Sequence, residues 1–298
     1  MATLCILGCG NQGTAILEGL IRNREEEEPL PFSRYIACVR TEKSKRALEQ
    51  QFSQNLDILE VYKGNNVKAI LESIIVILAV DPADIASVLT QPGFADALEK
   101  RLLISVAAGW TRQKIETTLY GSETSESNAA SRGWVIRTMP NIAAGVSQAL
   151  TTIEISEPAL IPGHLLQMTS NIFETVGKVV QVPPRLVNAT TAVTGSTPAF
   201  FAVISDALID AAVAVGVPRE MAQTMIYQSM QGTATMLQSG IHPGVLKDQG
   251  TSPEGCTIAG LMVLEEGAVR GHIGRALRES VTVARLMENT THVNDTRK

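Results

Sequence analysis

The sequence predicts an α/β domain built on a mostly parallel sheet, followed by an all-α domain. From Leu4 to about Val182, short β-branched runs alternate with helical stretches, which is the pattern of repeated βαβ units. After Pro183-Pro184 the strand signals vanish, and apolar residues recur at spacings of three and four. The predicted domains are therefore residues 1–182 and residues 183–298.

Eight short apolar runs in the first domain are predicted as strands. They are Leu4 to Leu7, Tyr35 to Val39, Leu59 to Tyr62, Ile74 to Val80, Leu102 to Val106, Trp134 to Thr138, Leu150 to Ile155 and Lys178 to Val182. The run from Ile74 to Val80 has no polar face, so we expect a central strand that is covered on both sides. The polar stretches 25–28 and 121–133 are predicted as solvated loops.

The second domain is predicted to form a homodimer. A helix should start after Pro218, since proline is favourable at a helix start. Its methionine-rich face should lie in a core or a helix interface, and comprises Met221, Met225, Ser229, Thr233, Met236 and Leu237. The segment from Pro198 to Val215 is nearly all apolar, with Asp206 and Asp210 as its only charges. A domain of about 115 residues has difficulty enclosing such a helix alone, so a second copy should complete its burial.

Composition and charge exclude several classes of partner. Of the 298 residues, 45% are hydrophobic and 18% are charged, which is typical of a globular protein. The 25 basic and 30 acidic residues provide no basic surface for nucleic acid. The N-terminus has no basic leader, and no apolar run approaches the roughly 18 to 20 residues that span a bilayer. We therefore expect a cytoplasmic protein that does not contact a membrane.

The cysteines give no sign of a metal centre. Cys5, Cys9, Cys38 and Cys256 are scattered and lack the spacing of metal ligands. Three of them adjoin predicted strands. We expect reduced thiols in or near the core, and no bound metal.

A glycine-rich turn after the first strand predicts a dinucleotide site. The residues Gly8-Cys9-Gly10-Asn11-Gln12-Gly13 form a G-x-G-x-x-G motif between a strand and the helical stretch Thr14 to Arg22. Gly8 permits the tight turn, Gly10 allows the backbone to approach a pyrophosphate, and Gly13 allows the helix to pack on the strand. The helix N-terminus at Asn11 and Gln12 then attracts the anion. The first domain is therefore predicted to be Rossmann-like.

The end of the second strand indicates which dinucleotide binds. An Asp or Glu at this position would favour NADH, but the acidic run 25–28 precedes the strand. The strand ends instead in Arg40 and Thr41, which can hydrogen-bond a 2′-phosphate, and Lys43 adds positive charge. NADPH is therefore favoured, and NADH is possible. The alternative is that these basic residues are simply the solvated start of a helix.

Several motifs resemble those of one enzyme family. The segment Arg137 to Asn141 resembles the R-x-M-P-N stretch of pyrroline-5-carboxylate reductases. Further segments align with that family in order, and they are Ala107 to Gly109, Thr191 to Phe200, His242 to Asp248 and Thr251 to Thr257. The similarity extends from residue 4 to about residue 285.

The resemblance implies a Rossmann-like domain, a helical domain that interlocks with a partner subunit, and reduction of 1-pyrroline-5-carboxylate to L-proline. It places Asn66 on the adenosine side of the cofactor, and Ala79, Val80 and Pro82 along the nicotinamide half. The aligned motifs add Ala107, Gly109 and Asn141 as cofactor-binding residues. The loop with Ser252, Gly255, Cys256 and Thr257 would hold the substrate carboxylate, with the Thr257 hydroxyl near the imine.

The chemistry of a cyclic imine agrees with this set of residues. Hydride transfer needs the carbon held over the nicotinamide, and the imine can arrive already protonated from water. A hydroxyl such as that of Thr257, with backbone N–H groups for the carboxylate, would be sufficient. The histidines follow no ligand spacing, and His242 is expected to mark a helix start rather than to act as a base.

Three departures from the family pattern leave the substrate open. Asp81 replaces the usual Lys, while Thr197 and Glu254 replace Gly. We expect Thr197 and Glu254 to avoid positive φ, and the Glu254 side chain to point outward because an uncompensated buried charge is costly. One alternative is a paralogue that reduces another cyclic imine, such as a substituted pyrroline or a piperideine carboxylate. The other is a non-catalytic NADPH-binding protein.

Overall fold

The first part of the chain folds around one mostly parallel sheet. A computed structural model describes residues 2–125, 127–155 and 161–290. Within these ranges the eight strands are β1 Ala2–Leu7, β2 Phe32–Val39, β3 Leu59–Lys63, β4 Ile75–Leu78, β5 Leu102–Ser105, β6 Trp134–Pro140, β7 Ala149–Glu154 and β8 Gly177–Val182. Their order is β3-β2-β1-β4-β5-β6-β7-β8, and β6 and β7 are the antiparallel pair. All eight predicted strands are confirmed, with ends shifted by a few residues.

Helices connect the strands and make up most of the remainder. They are α1 Asn11–Asn23, α2 Glu42–Gln51, α3 Asn66–Leu71, α4 Ile85–Leu89, α5 Phe94–Ala97, α6 Arg112–Tyr120, α7 Gly163–Glu174, α8 Val187–Ala214, α9 Arg219–Gln238, α10 Pro243–Gln249, α11 Cys256–Glu266 and α12 Val269–Leu286. The Rossmann-like domain and the following helical region are therefore confirmed as the fold class.

The sheet is buried on both faces, which explains the unbroken apolar run in β4. Ile75 and Ile77 point into a core shared with α1 and α7. Val76 and Leu78 point into a second core shared with α3 to α6. Because β4 lies between β1 and β5, the predicted central strand is confirmed, although Ile74 itself is exposed.

The chain divides into two compact units that differ from the predicted domains. The first unit is Met1–Gly195 with Val281–Lys298, and the second is Ser196–Ser280. Helix α8 therefore contributes to both units. The predicted boundary between residues 182 and 183 falls where β8 ends, and as a domain boundary it stays a prediction. Residues 291–298 of the predicted second domain lie outside the described residues.

The second unit exposes much apolar surface in the single chain. Exposed side chains include Phe201 and Val203 on α8 and Met221, Met225 and Met236 on α9. The stretch Pro184–Ala214 is long and apolar enough to cross a membrane, so the expectation that no run approached this length was wrong. One such helix is weak evidence for a membrane span, because interior helices of soluble proteins share these properties.

The structure tests the predictions made for the starts of α9 and α10 and for the burial of the cysteines. Helix α9 begins at Arg219, directly after Pro218 as predicted, although Pro218 is the N-cap residue and not the first helical residue. His242 is confirmed as a helix-entry residue, since its Nδ1 accepts from the Gly244 N–H at 3.1 Å. Cys5 and Cys38 are buried, but Cys256 is exposed in the single chain, so the core prediction fails for that thiol.

Candidate functional site

A cleft of about 890 Å³ opens in the first unit at the carboxyl ends of the parallel strands. Strand β1 has β2 on one side and β4 on the other, and this reversal of strand order is where open α/β sheets bind ligands. Twelve of the predicted cofactor residues line the cleft. They are Gly8, Gly10, Asn11, Gln12, Arg40, Thr41, Asn66, Ala79, Val80, Pro82, Ala107 and Asn141.

The glycine turn is shaped by close backbone packing. Gly8 has φ +89°, and an added Cβ there would lie 2.7 Å from the Ala79 carbonyl oxygen. At Gly13 an added Cβ would lie 2.2 Å from the Gly8 carbonyl oxygen. At Gly10 it would meet no atom of the described residues within 4 Å. Gly8 and Gly13 thus serve the fold, whereas Gly10 keeps the cleft side of the turn open.

The start of α1 presents unpaired donors to this cleft. Gly10 precedes the helix in an extended conformation, and among the described residues no side chain caps the helix. The buried Gln12 Nε2 also finds no hydrogen-bond partner within the described ranges. Unpaired N–H groups at a helix N-terminus attract an anion. A bound pyrophosphate fits this turn.

The end of the cleft beside α2 carries the predicted 2′-phosphate residues. Arg40 Nη1 donates to Asp84 Oδ2 at 2.8 Å. The Thr41 hydroxyl accepts from the Ser44 N–H at 3.1 Å, and so caps α2. Ser44 lines the cleft as well, whereas Lys43 does not. Arg40, Thr41 and Ser44 are therefore gathered at one end, with Asp84 as an unexpected neighbour.

Asn66 and the β4–α4 loop line other parts of the cleft. Asn66 begins α3, and its Nδ2 donates to Gln91 Oε1 at 3.2 Å. The Pro82 carbonyl accepts from Trp110 Nε1 at 3.0 Å, which fixes the loop to the residues after β5. Gly109 lies outside the cleft lining. An added Cβ there would be 3.0 Å from the Met287 carbonyl oxygen.

Asn141 has a structural role that its motif did not reveal. Its Nδ2 donates to the Thr194 carbonyl at 3.0 Å, and its Oδ1 accepts from the N–H groups of Ala143 and Leu150 at 3.3 Å. Pro198, four residues after Thr194 in α8, has no N–H for that carbonyl. The amide of Asn141 supplies the missing donor.

Burial disfavours the nucleophilic thiolate form of the two thiols in the cleft. Burial raises the pKa of Cys9 well above its ordinary value, and it raises the pKa of Cys38 to about 12. Both thiols therefore stay protonated near neutral pH. Among the described residues, no group of three or more His, Cys, Asp or Glu side chains could hold a metal ion.

Sequence reasoning missed several residues of the cleft, and Ser44, Asp84, Gln91, Thr191 and Gly195 are among them. Ser44 could have been found, because Thr41 is a favourable N-cap residue and its side chain is expected to bond the backbone N–H two or three residues later. Thr191 and Gly195 come from α8 and lie in the aligned segment Thr191 to Phe200, but no local pattern links that segment to the glycine turn.

The predicted substrate residues lie in the second unit. Gly255 precedes α11, which begins at Cys256, and no side chain of the described residues caps this helix. Ser252, Cys256 and Thr257 are exposed in the single chain. Glu254 is exposed and has φ +60°, so the expectation that it avoids positive φ was wrong. Thr197 lies within α8, where positive φ is avoided as expected.

Known proteins match both parts of the chain. Residues 184–287 match the family described as pyrroline-5-carboxylate reductase dimerisation, and residues 3–109 match that described as NADP oxidoreductase, coenzyme F420-dependent. A pyrroline-5-carboxylate reductase of Lophium arboricola is 40% identical over 310 residues, covering 99% of this chain and 96% of that protein. Its Neurospora crassa counterpart is 34% identical over 322 residues, covering 99% and 96%.

Solved structures have the same fold. Plasmodium falciparum pyrroline carboxylate reductase with NADP bound superposes with a TM-score of 0.80 at 22% identity, covering 97% of this chain and 98% of that one. The pyrroline-5-carboxylate reductase of Coxiella burnetii gives a TM-score of 0.77 at 25% identity, covering 97% and 99%. With 40% identity to a relative along nearly its whole length, the chain belongs to the pyrroline-5-carboxylate reductase family.

Proposed function

We propose that this chain reduces 1-pyrroline-5-carboxylate to L-proline with NADPH. The observation that carries the proposal is the uncapped start of α1, which opens onto a cleft at the strand reversal in a chain of this family. The match of residues 3–109 to an NADP oxidoreductase family supports the cofactor.

Different residues of the cleft bind different parts of the dinucleotide. The turn from Gly8 to Gly13 binds the pyrophosphate, and Gln12 Nε2, which has no hydrogen-bond partner among the described residues, gains one. Arg40, Thr41 and Ser44 bind the adenosine phosphate end, while Asn66 contacts the adenosine side. Ala79 to Pro82 and Ala107 lie along the nicotinamide half, and NADPH supplies the hydride when bound.

The loop before α11 holds the substrate. The backbone N–H groups that follow Gly255 bind the substrate carboxylate together with Ser252. The Thr257 hydroxyl, in the first turn of α11, hydrogen-bonds the imine nitrogen. Because the imine arrives protonated, Thr257 positions this group and does not need to act as a strong acid. Neither Lys43 nor Gly109 is assigned a direct contact with the cofactor.

The helical part forms the dimer. The match of residues 184–287 to a dimerisation family supports both the predicted division at residues 182 and 183 and a homodimer through these helices. The exposed apolar side chains of α8 and α9 would be covered by the second copy. Sedimentation of the purified protein tests whether it is a dimer.

The state of the cysteines bears on the cellular location. The four cysteines, all within the described ranges, are free, which supports a reducing compartment such as the cytoplasm. The location of a fluorescent fusion in the cell tests whether the protein is cytoplasmic.

Following NADPH oxidation with purified protein and 1-pyrroline-5-carboxylate tests the proposed reaction. We expect turnover, and slower turnover with NADH. A panel of substituted pyrrolines and a piperideine carboxylate tests the substrate, because Asp81 and Glu254 add negative charge relative to the family pattern. Faster turnover of another imine would reassign the substrate. Failure to oxidise NADPH with every imine would leave only a nucleotide-binding protein.

A further inference from the structure

An acidic side chain reaches the adenosine end of the cleft from an unexpected direction. In Rossmann-like folds the acid that favours NADH stands at the end of the second strand. Here that position is held by Arg40, and the acid is Asp84, from the β4–α4 loop. The distance from Arg40 Nη1 to Asp84 Oδ2 is 2.8 Å.

The Asp84 carboxylate accepts a hydrogen bond from Arg40 and does not cap its own helix, α4. It immediately precedes α4, where an Asp side chain commonly accepts from the first N–H groups of the helix. Among the described side chains, however, none caps α4, and the Asp84 carboxylate is paired with Arg40 instead. The Arg40 side chain is 81% exposed, so this pairing occurs where a ligand can reach the guanidinium.

Acidic partners also compensate part of the remaining positive charge around α2. Lys45 lies 3.8 Å from Glu49, Arg46 lies 3.7 Å from Glu42, and Lys63 lies 3.9 Å from Glu42. Two acids serve these three bases, so the positive charge at the start of α2, which predicted a phosphate site, is partly compensated. A 2′-phosphate must share Arg40 with a carboxylate.

We propose that Asp84 is a specificity-determining residue that weakens the preference for NADPH over NADH. Its carboxylate repels the 2′-phosphate and competes with it for Arg40, whereas it can accept a hydrogen bond from a ribose 2′-hydroxyl. The inference rests on the proposed function only for the identity of the nucleotide. On this proposal the chain uses both NADPH and NADH. The acid that permits this is Asp84 in the β4–α4 loop and not a residue at the end of the second strand.

The test is the affinity of the full-length protein for each reduced nucleotide, measured by the fluorescence of bound NADPH and NADH. We expect Asp84→Asn to raise the ratio of NADPH affinity to NADH affinity about three- to tenfold at low ionic strength. Asp84→Ser, which removes the charge and can cap α4, should shift the ratio in the same direction. Asp57→Asn, an equal charge change at an exposed residue outside the cleft, should leave the ratio unchanged.

Each outcome decides the point. An unchanged ratio in both Asp84 variants, or an equal shift in Asp57→Asn, overturns the inference. Because the readout is binding, the result is independent of imine reduction. A wild-type protein that binds neither nucleotide would instead refute the proposed function itself.

Discussion

The glycine turn before α1 and the loop before α11 have similar local geometry in different surroundings. Each ends in a glycine that precedes its helix in an extended conformation, with φ −78° at Gly10 and −76° at Gly255. Among the described side chains, none caps either helix. Gly13 is buried against the sheet, whereas the loop from Ser252 to Thr257 is largely exposed in the single chain.

The difference in burial indicates which of the two proposed anion-binding sites a single chain can form by itself. A helix N-terminus binds an anion more strongly where the surrounding structure fixes its geometry. The turn before α1 is fixed in this way within the first unit, because Gly8 and Gly13 pack closely against neighbouring backbone, although Gly10 and Asn11 themselves are exposed. The loop before α11 is largely exposed in the single chain, so we expect it to depend on the second copy of the proposed dimer.

Gly13→Ala should have the largest effect, because it tests the buried part of the first region. The added methyl group would stand 2.2 Å from the Gly8 carbonyl oxygen, and neither backbone can yield easily. We expect the free energy of unfolding to fall by about 3 kcal/mol, measured by urea denaturation. Unchanged stability would mean that α1 does not pack this closely on the turn.

Gly10→Ala tests the open side of the same turn and serves as the matched control. An added Cβ would meet no described atom within 4 Å, and φ −78° is allowed for alanine. Stability should therefore fall by less than about 1 kcal/mol, because alanine is a poorer N-cap residue than glycine, while NADPH binding should weaken about 10- to 100-fold, because the methyl group obstructs hydrogen bonds to the pyrophosphate. Fluorescence titration with NADPH measures this, and wild-type affinity would remove Gly10 from the phosphate site.

Thr257→Ala tests the second region. Loss of a hydroxyl that hydrogen-bonds a charged imine should lower kcat/KM about tenfold, with no change in NADPH affinity. Thr257→Ser, which retains the hydroxyl, should restore most of the activity. If Thr257→Ala reacts at the wild-type rate, the hydroxyl has no role in the reaction.

The sequence predicts the glycine turn, but not the long-range contacts around the same cleft, for a physical reason. The motif from Gly8 to Gly13 combines backbone demands that only glycine meets with a strand and a helix that local periodicity reveals. The pairing of Asp84 with Arg40 joins residues 44 positions apart, and Asn141 donates to a carbonyl 53 positions away. No local pattern carries such contacts, since they exist only once the sheet has brought the strand ends together.

In the loop before α11, a local backbone rule gave a wrong prediction. The rule that non-glycine residues avoid positive φ predicted an ordinary backbone at Glu254. The structure instead has φ +60° at Glu254, in the left-handed region that glycine adopts easily. The loop therefore holds one non-glycine residue in a strained conformation.

Glu254→Gly should have the smallest effect and should act in the stabilising direction. Relief of the left-handed strain, less the greater flexibility of glycine in the unfolded chain, should raise the free energy of unfolding by about 0.5–1 kcal/mol. Glu254→Ala keeps the Cβ and removes the carboxylate, so it should leave stability nearly unchanged. If the two variants are equally stable by urea denaturation, the strain at this position is negligible. If both bind 1-pyrroline-5-carboxylate more tightly by KM, the Glu254 charge faces the substrate rather than solvent.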